Sequence, residues 1–212
     1  MLLVGLTGNY GMGKSTVLPM FTKFGVITVD ADKIVESLLE EKSVLGKIKE
    51  LLGDRVFDKN GSLIKKKVTS LIFKNNALRH SLENILHPLV FKRVKDFLEK
   101  MNGKHKVAMI EVPLLFERGY EDRFNRTITV HTKEEIALNR LEKDGVNREE
   151  AILRLKAQLP IEEKIKRADY VIDNNGTSKE TMEQVEIIYN KLLKEAEDGN
   201  NQRSRGLQRE LS

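Results

Sequence analysis

Short runs of apolar residues recur along the chain and predict five buried β-strands. The runs cover residues 2–6, 26–29, 106–112, 126–130 and 168–173. The third run has almost no polar alternation, which is typical of a strand that is covered on both faces. Segments with a helical spacing of apolar residues separate the runs. We therefore predict an α/β fold in which helices flank a parallel five-stranded sheet.

The long segment between the second and third runs, residues 43–103, carries only helical patterns. Gly53 ends the first apolar stripe, and Asp58–Gly61 predicts a turn before the next one. We expect His87-Pro88 to break the chain between the last two stripes, because proline lacks the N–H that a helix interior requires. The last stripe should end at Asn102-Gly103. A helical insertion of this length is too long for a simple crossover, which predicts a lobe for a second substrate.

Polar helical patterns follow the fourth run. We predict one helix over residues 133–143 and a second over 149–158, and both carry arginines. An arginine-rich helical pair is typical of a mobile lid, in which Arg140 can offset charge on a transferring phosphoryl group. Surface salt bridges are the better explanation for Arg148 and Arg154.

Two pairs of polar residues mark the starts of later helices. Asn147 with Glu150, and Thr177 with Glu180, have the spacing of a capping box. After the helix that follows Thr177, the sequence becomes polar and aperiodic. We therefore predict a disordered tail over residues 196–212.

The loop after the first run has the spacing G-x-x-x-x-G-K-S of a phosphate-binding loop, with a strand before it and a helix after it. A chance glycine-rich turn is the alternative, and both flanks argue against it. Glycines let successive backbone N–H groups point at phosphate oxygens, and the following helix adds the positive end of its dipole. We expect Lys14 to reach the β- and γ-phosphates and the Ser15 hydroxyl to bind Mg²⁺. The residues predicted to hold the nucleotide are Gly8, Gly11, Met12, Gly13, Lys14, Ser15 and Thr16.

Acidic residues follow two of the other predicted strands. Asp30 and Asp32 come directly after the second strand, and the carboxyl ends of parallel strands share one edge of the sheet with the phosphate loop. One of them could accept a proton from a substrate hydroxyl or orient it, and helix N-capping is the alternative for each. Glu111 ends the third strand, where it could hold Mg²⁺ through water or be an ordinary strand terminus.

Composition limits the fold and the compartment. The 212 residues, of which 40% are hydrophobic, are enough for one core and a smaller appended lobe. Cysteine is absent, which excludes disulfides and thiolate chemistry and is compatible with a reducing cytoplasm. The sequence also lacks a long apolar run, so we expect a soluble, cytoplasmic protein without a membrane partner.

The net charge of +5 is unevenly distributed. Residues 64–106 hold eleven Lys or Arg and three acidic residues, a local excess of +8. Such an excess can attract an anionic partner, and a solvated helical surface is an equally good explanation. Aromatic residues do not interleave with the basic ones, which argues against a nucleic-acid partner.

Five stretches together resemble the dephospho-CoA kinase family. They occur in the family's order and extend over residues 1 to about 195. The phosphate loop alone is shared by many families, whereas Asp-Ala-Asp, Pro-Leu-Leu-Phe-Glu and Ala-Asp-Tyr together are much more specific. The five stretches are Gly5–Gly8 with the phosphate loop, Val29–Asp32, His87-Pro88, Pro113–Glu117 and Ala168–Asn174.

The resemblance implies a single kinase unit over residues 1–195 that catalyses the last step of CoA biosynthesis. ATP would phosphorylate the 3′-hydroxyl of the ribose of dephospho-CoA, giving CoA and ADP, with Mg²⁺ as the cofactor. ATP and dephospho-CoA would be the small-molecule partners. The implied parts are a P-loop NTPase-type core over about 1–32, 104–131 and 168–195, a helical CoA-binding lobe over about 33–103 and a small helical lid over about 132–167.

The resemblance also implies roles for individual residues. Asp32, the second Asp of Asp-Ala-Asp, would be the catalytic base and contact the substrate hydroxyl. Arg140 would bind the ATP phosphates and act in catalysis together with Lys14, and Ser15 would be the metal ligand. His87 would either contact the substrate or have a purely architectural role.

The phosphate loop departs from the family's usual Gly-Gly-Ile-Gly-Ser-Gly-Lys-Ser. Asn9, Tyr10 and Met12 replace the second Gly, the Ile and the first Ser. The residues that the spacing requires are intact, so the departures affect affinity and nucleotide preference more than activity. Asn tolerates left-handed backbone angles better than most residues, so Asn9 can replace a glycine at little cost.

Two other functions compete with this one. Another small-molecule or nucleoside monophosphate kinase would share both the fold and the loop. A P-loop ATPase or GTPase switch is the second alternative. The guanine-reading Asn-Lys-x-Asp is absent from the chain, which argues against a GTPase.

Overall fold

The computed structural model describes residues 1–101 and 103–199. They divide into two compact units: Met1–Asp30 with the described residues after Lys100, and Ala31–Lys100. In these described ranges, no helix combines the length and the apolar character that a membrane span needs. Asn102 and residues 200–212, which include most of the predicted tail, lie outside the described residues.

The first unit is built on a parallel five-stranded sheet, as the sequence predicts. The strands lie in the order β2-β3-β1-β4-β5. All six residues of the central strand β1 are buried, which agrees with a strand covered on both faces. The strands are β1 Leu2–Thr7, β2 Ile27–Asp30, β3 Val107–Glu111, β4 Arg126–His131 and β5 Tyr170–Asp173.

Nine helices and two short 3₁₀ turns accompany the strands in the described part of the chain. The 3₁₀ turns are Asp54–Val56 and Glu121–Arg123. The helices are α1 Lys14–Thr22, α2 Ala31–Leu38, α3 Lys42–Leu52, α4 Lys65–Lys74, α5 Asn76–Lys100, α6 Glu134–Lys143, α7 Arg148–Lys156, α8 Ile161–Arg167 and α9 Ser178–Glu197.

Helices α1 and α9 pack together and form one core with the sheet. The helical spacing that predicts α1 places Val17 and Phe21 in this core, and α9 contributes Val185, Ile188 and Leu192. The Thr177 hydroxyl accepts a hydrogen bond from the Glu180 N–H, and the Glu180 carboxylate accepts one from the Thr177 N–H. The predicted capping box at the start of α9 is therefore confirmed.

Helix α5 is the longest in the second unit and packs against α2, α3 and α4. The predicted break at His87-Pro88 is wrong, because α5 continues through both residues. A proline inside a helix removes one hydrogen bond, and burial of a continuous apolar stripe offsets that loss. The stripe recurs at every fourth residue and consists of Leu82, Leu86, Val90, Val94 and Leu98.

Helix α8 is a second difference from the sequence analysis, which placed this segment in the lid without a helix of its own. Only Ile161 and Ile165 give α8 apolar spacing, and charged residues fill most of its length. The side chain of Lys164 is nevertheless fully buried, because α8 packs against β4.

Candidate active site

The phosphate loop has the backbone that its glycines predict. Gly8, Gly11 and Gly13 have φ angles of +149°, +75° and +94°. Residues other than glycine rarely adopt these positive angles. Space imposes the same restriction, because a Cβ on Gly8 would overlap the carbonyl oxygen of Val130. A Cβ on Gly13 would overlap the side-chain amide of Asn174. Neither position accepts even alanine without moving the loop.

Lys14 is the first residue of α1 and points its ammonium back into the loop. Its Nζ donates to the carbonyl oxygens of Gly8, at 2.9 Å, and Asn9, at 3.3 Å, and the residue is only 9% exposed. The positive charge therefore lies within the curve of the loop. Ser15 and Thr16, in the exposed first turn of α1, follow directly.

Arg140 lies beside the phosphate loop, in the last turn of α6. Its Nη2 donates to the carbonyl oxygen of Asn174 at 3.0 Å. A Cβ on Gly13 would lie 3.5 Å from its Nη1. The structure thus brings Arg140 and Lys14, two of the predicted catalytic cations, to the same loop.

The other two arginines of α6 and α7 form surface ion pairs, as predicted. Arg148 binds Glu135 and Glu142, both at 2.7 Å, and Arg154 binds Glu150 at 2.5 Å. Hydrogen bonds to the carboxylates of Glu135 and Glu142 raise the pKa of Arg148 above its ordinary value. These pairs are solvent-exposed, whereas the Arg140 guanidinium lies beside Gly13 and Asn174.

Carboxylates mark the edge of the sheet next to the loop. Asp30 ends β2 and lies beside Glu111, its register partner at the end of β3. Asp32 comes two residues after β2, with an exposed side chain in the first turn of α2. The predicted proton acceptor therefore begins the second unit. His87 lies half-buried in α5 of that unit.

The three residues that depart from the family's usual loop all contribute contacts to neighbouring elements. Asn9 Nδ2 donates to the carbonyl oxygen of Leu159 at 3.0 Å, and the Tyr10 N–H donates to Gln158 Oε1 at 2.8 Å. The Met12 carbonyl accepts from Asn174 Nδ2 at 3.0 Å. Only the Asn9 bond uses the side chain of a departing residue, because the Tyr10 and Met12 contacts are made by backbone groups that any residue supplies.

Tyr10 also packs against the helices of the predicted lid. Its ring contacts a buried cluster from α6 and α7, and the Arg154 guanidinium lies 5.1 Å above the ring centre. A cation over an aromatic face at this distance is attracted to the ring quadrupole. The cluster consists of Leu138, Leu141, Ala151 and Leu155.

A cavity of about 630 Å³ borders the loop on the side of Asn9 and Met12. Residues from the ends of β4 and β5, from α7 and from α8 complete its lining. The Asn9 Oδ1 atom is buried and has no hydrogen-bond partner among the described residues. This acceptor therefore belongs to a residue that lines the cavity.

A buried ion pair joins α8 to the segment that follows β3 and was not predicted from the sequence. Lys164 Nζ lies 2.7 Å from Glu117 Oε1 and donates to the Pro113 carbonyl at 3.0 Å. The same Glu117 oxygen accepts from the Leu159 N–H at 3.0 Å. Burial lowers the pKa of Lys164, and its bond to Glu117 opposes that shift. The sequence does not reveal this ion pair, because Lys164 lies among other charged residues of α8. Only its burial in the structure distinguishes Lys164 from them.

The oxygen donors near the loop suit a magnesium ion. Ser15 supplies an exposed hydroxyl, and Asp30 and Glu111 supply carboxylates at the nearby sheet edge. Within residues 1–101 and 103–199, no three acidic or histidine side chains form a metal site by themselves. Magnesium commonly takes only one or two protein oxygens and completes its shell with water and substrate phosphates. The donor set fits that mode.

A model of the dephospho-CoA kinase family matches residues 2–180 of the chain. A dephospho-CoA kinase from Aquifex aeolicus is 35% identical over 193 residues, which cover 91% of this chain and 98% of the relative. One from Fusobacterium nucleatum is 39% identical over 186 residues, which cover 87% and 95%.

Solved structures give the same picture of the fold. The crystal structure of TT1252 from Thermus thermophilus matches with a TM-score of 0.81 and 31% identity, covering 90% of this chain and 97% of that one. A dephospho-CoA kinase from Campylobacter jejuni matches with a TM-score of 0.58 and 24% identity, covering 91% and 97%. A shikimate kinase from Acinetobacter baumannii, with a TM-score of 0.53 and 17% identity over 92% and 94%, shares the fold.

Proposed function

Because the chain belongs to the dephospho-CoA kinase family, we propose that it phosphorylates the 3′-hydroxyl of dephospho-CoA with ATP, giving CoA and ADP. The observation that carries this proposal is the family match over residues 2–180, which includes an intact phosphate loop. The relatives that match over nearly their full length are named dephospho-CoA kinase. These matches do not favour the alternative functions, a nucleoside monophosphate kinase or a GTPase switch.

ATP binds, in this proposal, with its β- and γ-phosphates in the phosphate loop. The backbone N–H groups of the loop and the N-terminus of α1 favour an anion there. Lys14, which now donates to carbonyl oxygens of Gly8 and Asn9, exchanges these partners for phosphate oxygens. Arg140 adds a second fixed cation beside Gly13. Cations in place before the reaction stabilise the charge of the transferring phosphoryl group.

Ser15 is the residue that we propose to hold magnesium, with water and the phosphates as the remaining ligands. When bound, the ion neutralises phosphate charge and helps to align the γ-phosphoryl group. The exposed position of the Ser15 hydroxyl, next to Lys14, supports this role.

Asp32 is the proposed catalytic base. It accepts the proton of the 3′-hydroxyl while the new O–P bond forms and the bond from the γ-phosphorus to ADP breaks. The position of Asp32 two residues after β2 supports this role, because ligands of parallel α/β sheets bind beyond the carboxyl ends of the strands.

The second unit is the proposed site for the CoA moiety of the substrate. It holds most of the basic residues between 64 and 106, whose excess of +8 suits a substrate that carries a diphosphate. His87 lies in this unit, where a contact with the substrate stays a prediction.

Replacing Asp32 by Asn tests the proposed base. The amide keeps the shape of the side chain and cannot take a proton. We expect turnover to fall by about 10²–10⁴-fold while the Kd for ATP stays near that of the wild type. The measurements are steady-state CoA formation and calorimetric titration with ATP and Mg²⁺.

Asp30→Asn is the matched control, because Asp30 is the other carboxylate that follows β2. It should lose less activity than Asp32→Asn. Near-normal turnover by Asp32→Asn, or a larger loss in Asp30→Asn, would contradict the assignment.

A further inference from the structure

Asn174, the first residue after β5, uses both its backbone and its side chain at the candidate site. It is only 5% exposed. Its N–H donates to the His131 carbonyl at 2.8 Å, and its own carbonyl accepts from Arg140 at 3.0 Å. Its side-chain Nδ2 donates to the Met12 carbonyl at 3.0 Å, and its Oδ1 accepts from the Thr181 hydroxyl at 3.1 Å. One residue therefore joins β4, α6, α9 and the phosphate loop.

The contact between Asn174 and the loop leaves no free space. A Cβ on Gly13 would overlap the Nδ2 atom of Asn174, and Gly13 has a φ of +94°. The loop backbone at Met12 and Gly13 is therefore seated directly on this amide. A shift of the amide would move the residue before Lys14, and with it the ammonium group.

The chemistry of the contact favours an amide over other side chains of this size. Met12 offers a carbonyl oxygen and requires a donor, whereas the Thr181 hydroxyl donates to Asn174 and requires an acceptor. Asn supplies both in one planar group. Asp would place an oxygen against the Met12 carbonyl, and Leu would fill the space without either bond.

We propose that Asn174 is a positioning residue for phosphoryl transfer: its amide fixes the phosphate loop at Met12 while its backbone carbonyl holds Arg140. This proposal rests on the kinase activity proposed above. In the proposed function, the phosphate loop and Arg140 both bind the phosphates of ATP. Loss of the amide should therefore weaken the use of ATP and leave binding of dephospho-CoA nearly unchanged, since small displacements of a positioned group cost large factors in rate.

Asn174→Leu and Asn174→Asp test the proposal together. We expect both to raise the KM for ATP by about 10–100-fold and to change the KM for dephospho-CoA by less than about threefold. The Asp variant adds a signature that a merely structural role would not give. Burial raises the pKa of a carboxyl group, and the protonated form can again donate to Met12. Its activity relative to the wild type should therefore rise as the pH is lowered, whereas that of the Leu variant should not.

Asn175→Asp is the matched control. Asn175 is half-buried, and its Oδ1 accepts from Thr132 and the Lys133 N–H, both of which a carboxylate can retain. Its Nδ2 donates to Asp173 Oδ1 at 2.5 Å, and this bond is lost in the Asp variant. It introduces the same charge one residue away, and its KM for ATP should stay within about threefold of the wild type. An equal rise in both Asp variants would contradict the proposal.

Folding and function are separated by two further measurements. If both Asn174 variants fail to fold, Thr181→Val removes the hydroxyl that donates to Asn174 Oδ1 and also to the Thr177 carbonyl at 3.2 Å. A raised KM for ATP in this variant supports the proposal, and a wild-type value contradicts it. If the wild type forms no CoA from dephospho-CoA, the proposed function fails and not this inference. Calorimetric titration of the variants with ATP then still decides whether Asn174 organises the loop.

Discussion

Tyr10 takes a phosphate-loop position where the family usually has isoleucine, and its ring packs against α6 and α7. The Arg154 guanidinium lies 5.1 Å above the centre of the ring. The neighbouring Asn9 bonds to Leu159, just after α7. At the residue scale, the side chains of Asn9 and Tyr10 therefore attach the phosphate loop to α6, α7 and the segment after α7.

Tyr10→Ile should loosen that attachment. Isoleucine keeps part of the apolar contact and loses the aromatic face, so we expect about 1 kcal/mol lower stability. Amide hydrogen exchange in α7 should become faster, because local opening follows lost contacts. Tyr10→Phe keeps the ring and should exchange at the wild-type rate. Equal protection of α7 in both variants would contradict the coupling.

Residues of the site differ in how far the sequence could reveal them. Gly8, Gly13 and Lys14 follow from spacing alone, because phosphate binding demands that spacing. Asn174 does not, because 162 residues separate it from the Met12 carbonyl that it binds. Its neighbour along the chain, Asn175, looks equivalent in the sequence, and only the fold makes Asn174 buried and leaves Asn175 half-buried.

At the scale of elements, local propensity failed where packing was strong. Pro88 predicts a helix break, and α5 continues because a buried residue recurs every four positions on either side of it. The sequence analysis also missed α8, because its mostly charged residues give no sign that Lys164 is buried. The five strands and the capping box at Thr177 were predicted correctly, because their signals are local.

Glu117→Gln tests the ion pair that joins α8 to the loop after β3. The amide leaves the buried Lys164 ammonium without a counter-charge, and breaking a buried pair in this way costs about 3–5 kcal/mol. Urea denaturation measures the loss. The exposed pair of Lys166 and Glu163 is the control, and Glu163→Gln should cost less than about 1 kcal/mol. Similar small losses in both variants would show that the buried pair is not needed for stability.

At the scale of the whole molecule, strand order assembles the site. The order β2-β3-β1-β4-β5 puts the phosphate loop after the central strand, with Asp30 and Glu111 on one side and Asn174 beyond the other. The parallel direction of the strands was predictable from the alternation of strands and helices. The order was not, because β1 pairs with β3 and β4, which lie far along the chain.

The central claim is that ATP is used to phosphorylate dephospho-CoA, and the most direct measurement is ADP release from ATP and Mg²⁺ with a panel of acceptors. Dephospho-CoA should be tested beside AMP, UMP, shikimate and a control without acceptor. We predict ADP formation that depends on dephospho-CoA, with CoA as the second product. Turnover with another acceptor and none with dephospho-CoA, or ADP release that needs no acceptor, would contradict the account.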